Sequence, residues 1–370
     1  MRQRLFVLSA LMPALAGAPR LTVAQPQGFS TDLTRAAVLR VMTAAADWQL
    51  AHPSEHAPHD WTVAAFYAGM MAFAELAASP KYYDAMKVMG ERNQWRPGLK
   101  PGLADDHAVI ATYAKIYQRE KDKKILEPSL ALFDFLVTLP FSEPLTWGNG
   151  IEAREWAWCD ALFMSPPALA AVSTATGDRK YLDLADRLWW KTTDYLYDKS
   201  EHLYFRDSRF FDRREPNGKK VFWSRGNGWV FAGIARMLKE MPPDYSDRTR
   251  YVALFREMAE KIVAVQGGDG YWRSSLLDAD SRPNPETSGT GFFVYGLAWG
   301  INDGLLDRAR YEPAVRRGWG AIVKAVQPDG MLGWVQRIGD QPGATTASTT
   351  EVYGVGALLL AGSEVYALAK

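Results

Sequence analysis

An all-α fold, an (α/α)6 barrel with short β-hairpins in its loops, is predicted by three features of this 370-residue chain. Amphipathic segments at helical spacing alternate with more apolar segments rich in Ala and Gly. The alternation recurs every ~50–60 residues, longer than common solenoid units. Strand signals are few, and no strand–helix–strand alternation argues for a parallel sheet. Six helical hairpins fit the ~340 residues left after the N-terminal stretch and can close into a double ring; an open solenoid is the alternative.

The elements follow in order. Residues 1–24 read as an export signal. Arg2 and Arg4 supply positive charge, residues 5–18 are apolar, and small residues at Ala16 and Ala18, or at Val23 and Ala24, offer cleavage sites. The apolar run is short for a membrane span, and nothing later reaches that length. A periplasmic or secreted protein is therefore expected, with one catalytic barrel over residues 25–370. Five segments have a polar turn followed by an amphipathic helix, starting at Ser79, Glu120, Thr176, Ser246 and Arg308. Ser or Asp before such a run is a helix-start signal. Between them lie apolar helices at 61–77, 106–117, 161–174, 228–239, 290–300 and 351–369, whose small residues suit close packing. Short strands or loops are expected at 202–206, 271–276 and 331–334.

Composition narrows the class. A net charge of +1 gives no case for nucleic acid or an anionic membrane as partner. The single Cys, Cys159, excludes an internal disulfide framework but not export, since a domain this large needs none. Trp is in excess at 14 residues, and such a surplus lines a carbohydrate cleft or fills a helical core.

The unusual polar residues stand just before the apolar helices. They are Asp105, Asp106 and His107; Trp158 and Asp160; Trp223, Arg225, Asn227 and Trp229; Glu286 to Ser288; and Thr349 to Glu351. Each alone reads more readily as a helix cap. In a closed ring all five groups face one end, which argues for a site. The segment WGNGIEAREWAWCD wraps Trp147, Trp156 and Trp158 around Asp160, and a carboxylate among aromatics loses hydration and gains pKa, as a general acid requires. No phosphate loop, nucleophile elbow or zinc motif is present, and the clustered His52, His56 and His59 are interrupted by prolines. No metal and no cofactor are expected. Carboxylates, aromatics and an Arg remain, which suits glycoside chemistry on an anionic sugar.

Two blocks, WAWCDALFMSPPALAAVSTATGDRKYLD and FWSRGNGWVFAGIARML, resemble the signature segments of the unsaturated rhamnogalacturonyl hydrolases, glycoside hydrolase family 105, with the unsaturated glucuronyl hydrolases as relatives of the same fold. The resemblance extends more weakly through ADDHAVIATYAKIY, PETSGTGFFVYGLAWGINDGLLD and TEVYGVGALLLAGSEVY. It implies an (α/α)6 barrel that removes a 4,5-unsaturated galacturonyl residue from lyase-generated, pectin-type oligosaccharides. It implies Asp160 as general acid and base. Arg225 and Trp229 would contact the uronate carboxylate and ring, with Trp158 and Trp223 flanking. The second Asp of the family matches Asp105 or Asp106, of which Asp106 is favoured as catalytic and Asp105 is assigned to substrate binding. His107, Trp147, Met164, Arg206 and Trp334 complete the expected binding set.

One departure stands out. The family commonly places a His after a Leu-Tyr-Tyr run; this chain reads HLYFRDSRFF, with Arg206 and Asp207 at that point. Arg206 is expected to meet a more anionic or differently substituted partner sugar. Two rival readings remain open. One is another α/α-barrel enzyme, a polysaccharide lyase or sugar epimerase, for which His107 is the one well-placed candidate base. The other is a carbohydrate-binding protein without catalysis.

Overall fold

A computed structural model of the chain describes residues 28–369. The proposed export signal lies outside the described residues. Thirteen α-helices dominate those residues. The outer ring comprises α1 (Arg35–Ala51), α3 (Lys81–Arg92), α5 (Glu127–Thr138), α8 (Lys180–Leu196), α10 (Arg248–Ala264) and α12 (Arg308–Ala325). The inner ring comprises α2 (Trp61–Ala74), α4 (Ile110–Glu120), α6 (Ala161–Met164) leading into α7 (Pro166–Thr176), α9 (Ser224–Glu240), α11 (Thr287–Asn302) and α13 (Val352–Leu368). Neighbouring inner helices pack in chain order, and α13 returns against α2, so the ring closes. The fold is an (α/α)6 barrel, not an open solenoid.

Inner and outer helices differ as their positions demand. Every residue of α11 from Thr287 to Ile301 is buried, because this helix has neighbours on all sides. In α8 the buried residues repeat at helical spacing, from Tyr181 and Leu182 through Leu188 and Trp189 to Leu196, and the remaining face meets solvent. Glycines set the closest approach. A Cβ on Gly69 of α2 would lie 2.5 Å from the carbonyl oxygen of Gly356 in α13. Only hydrogen at that position lets the first and last inner helices meet.

The structure differs from the sequence expectation in detail. Helix α1, which is not among the expected amphipathic segments, completes the outer ring; the polar run Ser30-Thr31-Asp32 and the Thr34 cap precede it. The helix expected at 106–117 begins as a 3-10 turn, Ala104–His107, before α4. The helix expected at 161–174 breaks between α6 and α7, where Pro166 and Pro167 offer no backbone N–H. Of the three expected strand regions, one forms a hairpin, β1 (Tyr197–Asp198) with β2 (Leu203–Tyr204). The other two contribute isolated bridges, Trp223 with Ser275 and Val326 with Leu332.

All inner helices run the same way. Their N-termini and the preceding loops converge on one end of the barrel, and their C-termini on the other.

Candidate active site

A pocket of about 320 Å³ opens at the N-terminal end of the inner ring. Its walls are Trp61, Asp105, Trp158, Asp160, Met164, Arg206, Ile338, Gly339 and Asp340. Each side chain is delivered by a loop or first turn before an inner helix.

Asp160 stands at the start of α6, yet its carboxylate makes no capping bond. Its segment is held from outside. Glu155, buried, pairs with Lys191 at 2.7 Å, and the Thr192 hydroxyl donates to the Trp156 carbonyl at 2.7 Å. The Cys159 N–H donates to the Arg206 carbonyl at 2.9 Å, joining the two segments that meet in the pocket. These bonds leave the carboxylate facing the cavity, with a weak hydrogen bond from the Cys159 thiol at 3.4 Å. Arg206 Nε lies 3.6 Å from Asp160 Oδ2 and has no hydrogen-bond partner. An unbonded N–H beside an uncapped carboxylate is a place for a ligand rather than a finished structural contact.

Arg206 itself is fixed. Its Nη1 donates to Asp207 at 2.8 Å, and its guanidinium lies 4.5 Å from the Trp147 ring centre. Arg209 stacks on the same ring at 4.8 Å and joins Asp207 to Asp340 at 2.8 Å. Burial pushes the Asp207 carboxyl upward, but the hydrogen bonds from Arg209 and Arg206 win and hold it below the usual carboxylate range. Asp207 therefore stays charged and keeps both arginines in place.

The two pocket carboxyls behave oppositely to Asp207. Burial raises Asp160 against the pull of Arg206 and Arg225. Burial and the nearby Asp160 charge push Asp105 up to about 8, with Arg206 opposing. Two coupled carboxyls, one retaining a proton beyond neutrality, can supply an acid at neutral pH.

The doublet Asp105–Asp106 is resolved by local geometry, and the expectation is corrected. Successive residues of a 3-10 turn point about 120° apart. The turn sends Asp105 into the pocket. It sends Asp106 back to the 98–100 loop, where Oδ2 accepts from the Lys100 N–H at 2.6 Å and packs on Gly98. Asp106 pins a loop.

Further expected residues stand outside the pocket wall, and their expected place is corrected. His107 is buried. Its Nε2 donates to the Pro101 carbonyl at 2.8 Å, so Nδ1 accepts from the Ser165 hydroxyl at 2.7 Å. Burial pushes it down to about 4, which keeps it neutral and structural. Trp229 lies beneath the pocket among Phe163, Phe292, Trp61 and Tyr353, as core. Trp223 and Arg225 form a backing layer rather than the wall. Trp223 Nε1 donates to Gln336 Oε1 at 2.9 Å. Arg225, buried and stacked over Trp223 and Tyr353, donates to the carbonyls of Gln336 and Arg337 at 2.6 and 3.0 Å. Trp334 is spent on backbone pairing, exchanging bonds with Thr287 and Thr346, and lies outside the pocket lining. Trp147 contributes indirectly, as the ring on which Arg206 rests. Trp158, Met164, Asp160, Asp105 and Arg206 line the pocket.

Sequence reasoning passed over Trp61 and the 338–340 loop. Trp61 opens α2, the same helix-start position as the other candidates, so that rule reaches it. The loop carries no comparable signal. It is placed by Gln336, which takes the contacts of Trp223 and Arg225, accepts from the Tyr353 hydroxyl, and sends its N–H to Glu286. Glu286 is a true cap, accepting from the N–H groups of Ser288 and Gly289. No cluster of three or more potential metal ligands occurs among the described residues.

The family model for Glycosyl Hydrolase Family 88 matches residues 34–369. An unsaturated 3S-rhamnoglycuronyl hydrolase of Formosa agariphila is 41% identical over 344 residues, 88% of this chain and 90% of the relative. A protein of the same name from Alteromonas sp. (strain LOR) is 37% identical over 350 residues, 88% of this chain and 85% of the relative. A solved structure described as a polysaccharide lyase superposes with a TM-score of 0.82 at 33% identity, covering 90% of this chain and 98% of that one.

Proposed function

The chain belongs to glycosyl hydrolase family 88 and is a glycoside hydrolase, and from that premise we propose that it removes a 4,5-unsaturated uronyl residue from a lyase-generated oligosaccharide. The observation that carries the reading is one small pocket holding two carboxyls that burial raises, a cation with a free N–H, and the faces of Trp61 and Trp158. The uronate carboxylate meets Arg206 and the ring lies against the indoles. Asp160 gives its proton to C4 of the enol ether. The C4=C5 electron pair forms the new C–H bond, and positive charge develops at C5, shared with the ring oxygen. Water adds at C5 and its proton returns to Asp160. The hemiketal opens to a ketone, the C1 hemiacetal collapses to an aldehyde, and the neighbouring sugar leaves. Burial raises Asp160, and Asp105 beside it holds its own proton to about 8 and so adds no negative charge to the pocket below that pH.

The neighbouring sugar is a rhamnose carrying an acidic substituent in our reading, ahead of an uncharged pectin-type unit. The two relatives' names mark a 3S-rhamnose beside the glycuronyl ring. Arg206 and Arg209, side by side on Trp147 at the pocket edge, offer charge for such a group, and the exposed Ile338 offers the sugar an apolar edge. The protein acts in the periplasm or outside the cell, on the strength of residues 1–24.

A second reading, a polysaccharide lyase, is favoured by the description of the superposed structure. It fits the pocket less well, because His107 is neutral, buried and doubly bonded. One experiment separates the two. The purified protein is mixed with unsaturated disaccharides from lyase-digested rhamnogalacturonan and from a sulfated rhamnoglycuronan, and the ultraviolet absorbance of the conjugated double bond is followed. The proposal requires that absorbance to fall, and fastest with the sulfated substrate. A rise on intact polysaccharide would establish the lyase instead.

A further inference from the structure

The opposite half of the barrel holds a second and larger space. A cavity of about 1010 Å³ lies among α2, α4, α7 and α9, running from Thr112 and Pro167 near the starts of α4 and α7 to Arg119, Lys239 and Glu240 at helix C-termini. It is separate from the catalytic pocket. Phe163 and Trp229, with ring centres 4.6 Å apart, lie between them: Trp229 meets Trp61 of the pocket above, and Phe163 meets Arg236 of the cavity below.

The chemistry of this cavity is unfinished. Its lining includes Lys115, Arg119, Arg236 and Lys239 against Glu75 and Glu240. Lys115 pairs with Glu240, and Lys239 with Glu364. The two arginines are left over, Arg119 at the solvent-exposed mouth and Arg236 deeper in the wall. Arg119 stacks over Tyr83 at 4.0 Å, and Arg236 over Phe163 at 4.4 Å with one hydrogen bond to the Phe163 carbonyl at 3.2 Å. Neither pairs with a carboxylate among the described residues. Two buried polar atoms on the same walls, Thr112 Oγ1 and Gln118 Nε2, have no hydrogen-bond partner. A buried polar atom left unpaired costs about 1–3 kcal/mol, and native proteins rarely keep several together without use. None of these residues serves the catalytic pocket.

We infer that this chamber is a second binding site, for a saccharide bearing a carboxylate or a sulfate. Arg119 and Arg236 take the oxyanion, and Thr112 and Gln118 meet sugar hydroxyls. The cavity is far larger than a bare inorganic ion requires, and its walls mix polar groups with Tyr83, Tyr295 and Met71, as sugar sites do.

Calorimetric titration of the full chain with D-galacturonate, inorganic sulfate and rhamnose tests the inference. Galacturonate or sulfate is expected to occupy a site that survives Arg206→Gln in the catalytic pocket. That site should weaken ~10-fold or more in Arg119→Gln and in Thr112→Val, as loss of a charged or buried hydrogen bond implies. Turnover of unsaturated disaccharide should stay unchanged in both variants, which also reports that they fold. Tighter binding of one anion than of the other names the group that is read. The inference is overturned if no anion binds outside the catalytic pocket, if neither variant weakens that binding, or if neutral rhamnose binds as well as galacturonate.

Discussion

Asp160 and Asp105 share a pocket and differ in their neighbours, which lets each be tested by itself. Asp160→Asn keeps the shape and removes the proposed proton donor. Turnover is expected to fall ~10²–10⁴-fold with little change in melting temperature, the usual share of general acid–base catalysis; a variant retaining native turnover would remove Asp160 from the mechanism. Asp105→Asn should act on the pH profile. In the native pair a proton is retained to about 8, so activity should fall on the alkaline side near that value. Asp105→Asn removes the group that titrates near 8, so an alkaline limb set by Asp105 should disappear, and a limb that stays in place would assign it to another group. Arg206→Gln removes the unpartnered Nε beside Asp160, and kcat/KM is expected to drop ~10–100-fold, more for a sulfated than for an unsulfated neighbouring sugar. Equal losses on both substrates would confine Arg206 to the uronate. At this scale the sequence was legible for Asp160, Trp158 and Arg206. It was not legible for Asp105 against Asp106, because adjacent carboxyls differ only in the direction a 3-10 turn gives them.

At the scale of the element, the helix starts do the placing. Glu286 caps α11 and also accepts from the Gln336 N–H at 3.3 Å, so one carboxylate fastens a helix and the loop that walls the pocket. Glu286→Ala should lower stability by about 0.5–2 kcal/mol, as a lost cap does, and raise KM through the loosened 336–340 loop. Denaturant unfolding and steady-state kinetics measure the two effects, and an unchanged KM would mean that the loop stands without it. The α2–α13 contact is the other element-scale test. Gly69→Val puts a branched side chain against the Gly356 carbonyl and is expected to cost about 1–3 kcal/mol or more. Helix-start signals and small-residue spacing made both features readable from sequence. The break between α6 and α7 was written in Pro166 and Pro167, but its consequence, an uncapped Asp160, depends on how the outer helix α8 holds the preceding strand of chain.

At the scale of the molecule, two buried groups set opposite pH slopes. The Asp105 pKa is raised from 3.8 to about 8, so its contribution to stability is complete at low pH and is lost as pH rises between those values. His107 is lowered from 6.5 to about 4, so its contribution is complete above 6.5 and is lost as pH falls toward 4. The two slopes cancel between about pH 4 and 6.5, so denaturant unfolding should show a plateau there and a decline from pH 6.5 toward 8. Asp105→Asn should be as stable as the native protein near pH 4 and progressively more stable toward pH 8, while being less active. Stability bought at the expense of turnover is the mark of a residue kept for chemistry; a variant that loses both would make Asp105 structural.

The amino-acid sequence by itself determined the barrel, the end on which the polar helix starts gather, and the Trp-rich segment that carries Asp160. Helical periodicity, capping residues and Trp clustering are local properties, and they survive being read in one dimension. Only the tertiary structure decided which polar residues face the pocket. Arg225 and Trp223 carry the same motif signature as pocket residues, yet their hydrogen bonds go to Gln336, 111 to 113 positions away. His107 is claimed by Ser165, and Trp229 by the core. The partner of a buried polar group is chosen by the packing of distant segments, because an unpaired buried group is too costly to leave alone, and that choice is made in three dimensions.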